Sequence, residues 1–225
     1  MQKQELRQLK RVWRPSAPKG GLVQRGSQLI KLGATLAVVF FLTAPKLYAQ
    51  NWDVNTLNSI NPSSPSSGVW QKTTASVYPV SVGIPAGILL AGYISHNKLE
   101  QQKGWKIVGA LAVNTIISQG LKYTINRERP YEKYPLIINP YDRAEQGKSF
   151  PSGHTSTAFS LAASLSIEYK KWYYVVPAYA YAASVGYSRL YLGEHYPTDV
   201  LAGAAIGVGS AYLNSWLQRK FFKVK

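Results

Sequence analysis

Between Lys122 and Asp199 the chain gathers the residue types that handle phosphate. Lys122 with Arg127, Arg129 and Pro130 comes first, Pro151-Ser152-Gly153-His154 second, and Ser188-Arg189 with His195 and Asp199 third. The spacings are K-x6-R-P, P-S-G-H and S-R-x5-H-x3-D, with 20 residues between the first two clusters and 33 between the last two. Ammonium and guanidinium groups neutralise phosphoryl oxygens, and guanidinium does so in a planar fork. A serine hydroxyl and the backbone N–H groups around Gly153 can donate to the same oxygens. One imidazole can attack phosphorus while another protonates the departing oxygen. A carboxylate four residues beyond His195 can hold that ring in one tautomer. Each piece alone also has a bland reading. Lys122, Arg127 and Arg129 could be interfacial cations ending a membrane helix, Ser152 a helix cap, and His195 a loop residue before Pro197. The cap and the phosphate readings of Ser152 are compatible, because a helix N-terminus presents free N–H groups to an anion.

Taken in order, the three clusters resemble the signature of the type 2 phosphatidic acid phosphatase superfamily. That superfamily holds membrane lipid phosphatases, soluble class A acid phosphatases and vanadium-dependent haloperoxidases. Every signature position is present without substitution. The resemblance implies that Lys122, Arg129, Ser152, Gly153 and Arg189 bind phosphate. It makes His195 the nucleophile, His154 the general acid and Asp199 the group that orients His195. Arg127 lies off the pattern and is read as structural, Glu194 yields to Asp199 on spacing, and His96 is assigned no role. The implied reaction is hydrolysis of a lipid phosphate or lipid pyrophosphate through a phosphohistidine. Fixed cations carry the transition-state charge, so no metal and no cofactor are expected. The alternative is a soluble periplasmic non-specific acid phosphatase with a cleaved signal peptide, acting through the same residues. A haloperoxidase is disfavoured by the short chain.

The surrounding elements must bring these clusters together. The chain has 225 residues, a net charge of +16 and no cysteine, so disulfides and thiol chemistry are excluded. Eight of its Lys and Arg residues fall in 1–31 against one acid, Glu5. With much of the excess there or beside apolar helices, no nucleic-acid partner is expected. Residues 1–49 are read as a basic segment followed by an apolar run, Leu32–Pro45, and 50–225 as the phosphatase domain. The run is 14 residues long, which fits a signal peptide cleaved before Gln50. With Lys46 snorkelling it also fits an anchor of about 18 residues.

Downstream, Trp52, Val54, Leu57 and Ile60 recur at helical spacing and predict a short amphipathic helix on the membrane or on the domain. Five core helices are predicted: a kinked Thr73–Ser95, Gly104–Ile125, Thr155–Ile167, Trp172–Ser188 and Val200–Gln218. No strand period is visible. The fold class is all-α, a helical bundle with its active site at one end and the apolar segment as signal or sixth membrane helix. If the chain alternates sides, segments 96–106, 168–171 and 219–225 carry nine Lys/Arg against two acids. The opposite segments carry seven acids and five Lys/Arg beyond the motif cations. That is the positive-inside pattern, and all three clusters fall on the outside. It predicts a multi-pass protein of the bacterial inner membrane whose site faces the periplasm, with the bilayer and a lipid phosphate or pyrophosphate as partners.

Overall fold

The computed structural model describes residues 46–142 and 147–221. The basic segment and the apolar run Leu32–Pro45 lie outside the described residues. The helices are α1 (Lys46–Ile60), α2 (Gly68–Ala75), α3 (Val77–Ile94), α4 (Lys98–Ile125), α5 (Pro130–Lys133), α6 (Gly153–Tyr169), α7 (Trp172–Tyr191) and α8 (Pro197–Phe221). No strand occurs among the described residues. The all-α class and the five core helices (α3, α4, α6, α7 and α8) follow the sequence reading.

α6 is the central element and packs against α3, α4, α7 and α8. Its composition explains why. Thr155, Ser156, Ala158, Ser160, Ala162, Ala163 and Ser164 are all buried, around almost the whole circumference. Small side chains let neighbouring backbones come close, as in tightly packed membrane helices. α8 answers with Gly203 and Gly207, one turn apart. A Cβ on Gly203 would stand 2.7 Å from the Ser152 carbonyl oxygen, and one on Gly207 would collide with that of Ser156. Larger residues fill the spaces between helices, with Ile107, Leu161 and Leu165 in one cluster and Val77 and Val185 in another.

Local signals set the helix ends. Asn97 caps α4, accepting from the N–H groups of Leu99 at 3.0 Å and Glu100 at 3.3 Å. α4 therefore begins at Lys98, ahead of the expected Gly104, and ends on left-handed Asn126 (φ 43°). Pro197 starts α8, where its missing N–H costs nothing. The expected single kinked helix over Thr73–Ser95 is instead two helices, α2 and α3, meeting at Ser76. There the Ser76 hydroxyl donates to the Thr73 carbonyl at 2.8 Å and pairs with the Tyr181 hydroxyl at 2.7 Å. Pro79 falls in the first turn of α3, and Pro85 lies within the helix.

Outside the bundle a second cluster seats α1. Val54 and Leu57 pack with Tyr131, Ile138 and Tyr196. Burying a leucine such as Leu57 contributes roughly 1.5–3 kcal/mol. α1 thus lies on the protein itself. Trp52, expected on the same apolar face, is exposed, and Asp53 is buried in its place.

Candidate active site

α3, α6 and α8 begin, and α4 and α7 end, at the same end of the bundle. The three sequence clusters meet there. Lys122, Arg129, Gly153, His154 and His195 line one cavity of about 270 Å³, together with Tyr78, Gln119, Gly147 and Lys148. Ser152, Arg189 and Asp199 are buried around it. The Ser152 N–H donates to the Asp199 carbonyl at 3.0 Å, which ties the second cluster to the third. Lys122 reaches in from the last turn of α4, and its Nζ donates to the Lys148 carbonyl at 2.7 Å.

Ser152 occupies the cap position of α6, but its hydroxyl makes no capping bond. It pairs with the Thr155 hydroxyl at 2.9 Å. The expected side-chain cap is therefore replaced by a bond within the first turn. The His154 ring rests on Tyr78, with centroids 4.9 Å apart.

Two arginines share one carboxylate. Arg129 Nη1 donates to the Glu194 carbonyl and to its Oε2, at 3.2 Å each, while Arg129 Nε donates to the Gly147 carbonyl at 3.2 Å. Arg189 Nη2 lies 3.6 Å from the same Oε2, and its Nη1 donates to Thr74 Oγ1 at 2.8 Å. Glu194, set aside on spacing in favour of Asp199, holds both guanidiniums and not the histidine. It follows Gly193, whose φ of +71° and closeness to the Asn139 carbonyl leave no room for a side chain.

His195 is almost fully buried, at 1% exposure. Its Nδ1 lies 3.4 Å from Ser149 Oγ and 3.6 Å from Asp199 Oδ2. Ser149 donates to that same Oδ2 at 2.5 Å, and the Tyr196 N–H does so at 3.0 Å. Burial, reinforced by Arg189, Arg129, Lys122 and His154, holds the His195 imidazole well below its usual pKa. The ring is neutral at pH 7. With Nδ1 turned to the Ser149–Asp199 pair, Nε2 is the nitrogen left with a lone pair for the cavity.

Behind Asp199 lies a chain that the sequence did not reveal. Arg127 Nη1 donates to Asp199 Oδ1 at 2.6 Å, and its Nη2 to Asp53 Oδ2 at 2.8 Å. The guanidinium also stacks on the Tyr196 ring at 3.8 Å. Arg127, read as structural, is thus in direct contact with a predicted site residue. Asp53, Ser149, Tyr78 and Gln119 were not singled out either. Ser149 alone carried a signal, standing two residues before the Pro-Ser-Gly-His run.

A cationic cavity beside two imidazoles, framed by helix ends, defines a site for a tetrahedral oxyanion. The PAP2 superfamily model matches residues 103–223, and the chain belongs to that superfamily. Among curated relatives it is 31% identical to a lipid A 1-phosphatase of Porphyromonas gingivalis, over 52% of this chain and 24% of that protein. It is 35% identical to bacitracin transport permease protein BcrC of Bacillus licheniformis, over 49% and 53% of the two chains. An undecaprenyl-diphosphatase of Sulfolobus acidocaldarius is 29% identical, over 59% and 62%. The chain therefore matches between a quarter and six-tenths of the length of these relatives. Among solved structures, LpxE of Aquifex aeolicus aligns with 26% identity and a TM-score of 0.57, covering 73% of this chain and 95% of that one. A transmembrane PAP2-type phosphatidylglycerolphosphate phosphatase of Bacillus subtilis has the same fold, at 22% identity and a TM-score of 0.63, covering 87% and 98%.

Proposed function

We propose that this protein is a metal-independent membrane phosphatase that hydrolyses a lipid phosphate or lipid pyrophosphate through a phosphohistidine. The observation that carries the reading is the single cavity lined by Lys122, Arg129, Gly153, His154 and His195. Lys122, Arg129 and Arg189 clamp the terminal phosphoryl oxygens, with Ser152 and the N–H groups of the α6 N-terminus as further donors. His195 Nε2 forms a bond to phosphorus in line with the leaving oxygen. The P–O bond breaks, and His154 gives that oxygen its proton. Asp199, fixed through Ser149 and the Tyr196 N–H, holds the ring and balances the charge that His195 gains. Water then attacks phosphorus and loses a proton to His154. The N–P bond breaks, His195 recovers its lone pair, and inorganic phosphate leaves.

Membrane embedding rests on the outer surface of the bundle. α3 and α8 are long and apolar enough to cross a bilayer. Val82, Leu90, Ile116, Val176 and Leu201 point outward and are exposed. Tyr93, Trp105, Trp172 and Tyr173 lie at the end opposite the site, where an interface belt would sit. The distribution of Lys and Arg supports a reading in which that opposite end faces the cytoplasm and the site faces the periplasm of a bacterial inner membrane. Residues 50–225 are the phosphatase domain in this reading. The lipid head group enters the cavity while its tails remain in the bilayer.

The experiment is phosphate release by purified protein in detergent with EDTA present, on phosphatidate, undecaprenyl pyrophosphate and p-nitrophenyl phosphate. Lipid-selective release that vanishes in His195→Ala is the expected result. Folded protein that releases phosphate from none of them overturns the reading. Sidedness has its own test, because the chain lacks cysteine. A membrane-impermeant maleimide should label Lys133→Cys in intact cells, and Lys171→Cys only after permeabilisation. The reverse pattern would invert the topology.

A further inference from the structure

The nucleophile's orienting carboxylate is itself held by a charge pair reaching from outside the family match. That match begins at residue 103, whereas Asp53 lies in α1. From the histidine outward the order is His195, Asp199, Arg127, Asp53. Asp199 and Asp53 are almost fully buried. Arg127 bridges them with bonds of 2.6 Å and 2.8 Å, one guanidinium nitrogen to each carboxylate. Asp53 is fixed in turn by the Thr198 N–H at 2.9 Å and the Thr198 hydroxyl at 2.5 Å. Thr198 neighbours Asp199, so the arrangement closes into a ring around the first turn of α8.

The formal charges show what the ring does. Asp199 with Arg127 alone would be neutral, and His195 would gain positive charge opposite a neutral pair. Asp53 restores a net charge of −1 to the group of three. It also holds the second Arg127 nitrogen, so the guanidinium cannot turn away from Asp199. The stacking of Arg127 on Tyr196 fixes its plane beside the residue that follows the nucleophile. Fixed, desolvated charges of this kind act more strongly than the same groups in water.

We infer that Asp53 and Arg127 are positioning residues of the phosphatase reaction, and that α1 is thereby part of the active site. The inference rests on the proposed phosphohistidine reading. Neither residue lines the 270 Å³ cavity, so their loss should act on turnover and leave substrate binding nearly alone.

The test measures kcat and KM of the full chain in detergent on phosphatidate, for wild type, Asp53→Asn, Arg127→Gln, Arg127→Lys and the Asp53→Asn/Arg127→Gln double variant. Titration with orthovanadate counts intact sites in each. Asp53→Asn should lower kcat by about ten- to a hundredfold, by analogy with the outer partners of metal-bound histidines. KM should stay within about twofold, with one vanadate site per chain retained. Arg127→Lys should recover part of the activity lost in Arg127→Gln. The double variant should be no worse than the poorer single one, since both break the same chain. Wild-type kcat in Asp53→Asn overturns the inference. So does a loss of kcat matched by a loss of vanadate sites, or effects that multiply in the double variant. If Asp53→Asn does not fold, the Arg127 pair decides, and equal activity of the Lys and Gln variants overturns the inference. Absence of turnover in the wild type is a different result: it removes the phosphatase reading and this inference with it.

Discussion

Both ends of the bundle are laced by charged side chains, but they are built differently. At the far end Lys103 meets Glu100 at 2.6 Å, and Lys106 meets Glu168 at 3.1 Å, with all four groups partly exposed. Glu100 also accepts from the Tyr169 hydroxyl at 2.7 Å. Both of these lysines have a carboxylate partner. At the site end Asp53, Arg129, Arg189, Glu194 and Asp199 are buried, and the charges are divided by position. Asp53, Asp199 and Glu194 reach their arginines from behind. Among the described residues the cavity itself is lined by Lys122, Arg129 and Lys148, and by no carboxylate. A cavity walled by one sign of charge attracts ligands of the other. The contrast is between partly exposed pairs, one within α4 and one between α4 and α6, and a cavity whose charged lining is cationic alone.

The sharpest way to break that contrast is His195→Ala. It should leave the cation cradle in place and lower kcat by at least about a thousandfold, as loss of a nucleophile does. Orthophosphate should still inhibit any residual activity. A variant retaining more than a few per cent of wild-type kcat would move the nucleophile elsewhere.

Glu194→Ala should come next. It frees the two guanidiniums from their shared carboxylate, so the arginines lose their fixed spacing. Removing one partner of a buried pair costs about 3–5 kcal/mol, so a clear drop in thermal stability in detergent is expected with a raised KM. Glu194→Gln keeps an acceptor but still removes the charge, so it should recover only part of the stability. If Glu194 served His195 instead, Gln would be as damaging to kcat as Ala, with KM unchanged.

The pH profile sharpens the same end of the molecule. A nucleophilic imidazole must be unprotonated, so acid should reduce kcat/KM as His195 takes up a proton. Burial and the surrounding cations depress its pKa below the ordinary value. The acid limb should therefore lie below pH 6.5, the usual histidine value. Bound phosphate brings negative charge beside the ring and raises its pKa. The acid limb of kcat, which reports the complex, should lie at higher pH than that of kcat/KM. An acid limb of kcat/KM at or above pH 6.5 would mean that burial and the cations do not act on His195, and coincident limbs would mean that bound phosphate does not lie beside the ring.

Much of the site was legible because its residues sit in three local runs, each at a helix end that the sequence also marks. Pro197 before Asp199, the glycine of Pro-Ser-Gly-His and the apolar stretches placed α6 and α8 within a few residues. Asp53 was not legible. It stands 146 residues before Asp199 in a segment whose apolar spacing points to Trp52 and Val54, and only tertiary contact through Arg127 joins it to Asp199. The break at Ser76 was hidden for a related reason: a hydroxyl pairing with Tyr181 on another helix divides an otherwise uncharged run. The partners of Arg127, Asp53 and Asp199, lie far from it in sequence on either side, so no local spacing points to them.

The smallest effect expected is at the far end. Lys106 and Glu168 link α4 to α6, and the Lys106 carbonyl accepts from the Asn214 amide of α8 at 2.8 Å. The backbone bond survives any side-chain change at 106, and the ion pair is partly exposed. Such pairs are worth about 0–1 kcal/mol. Glu168→Gln should therefore shift the unfolding midpoint by little more than a degree or two, with kcat and KM within about twofold of wild type. The variant is informative because α6 runs unbroken from Glu168 to His154. If a change at Glu168 altered turnover, the two ends would be coupled through α6, and the division between joining pairs and catalytic charges would fail. Unchanged turnover with a small shift in stability places the chemistry of this bundle at one end and leaves the other to hold the helices together.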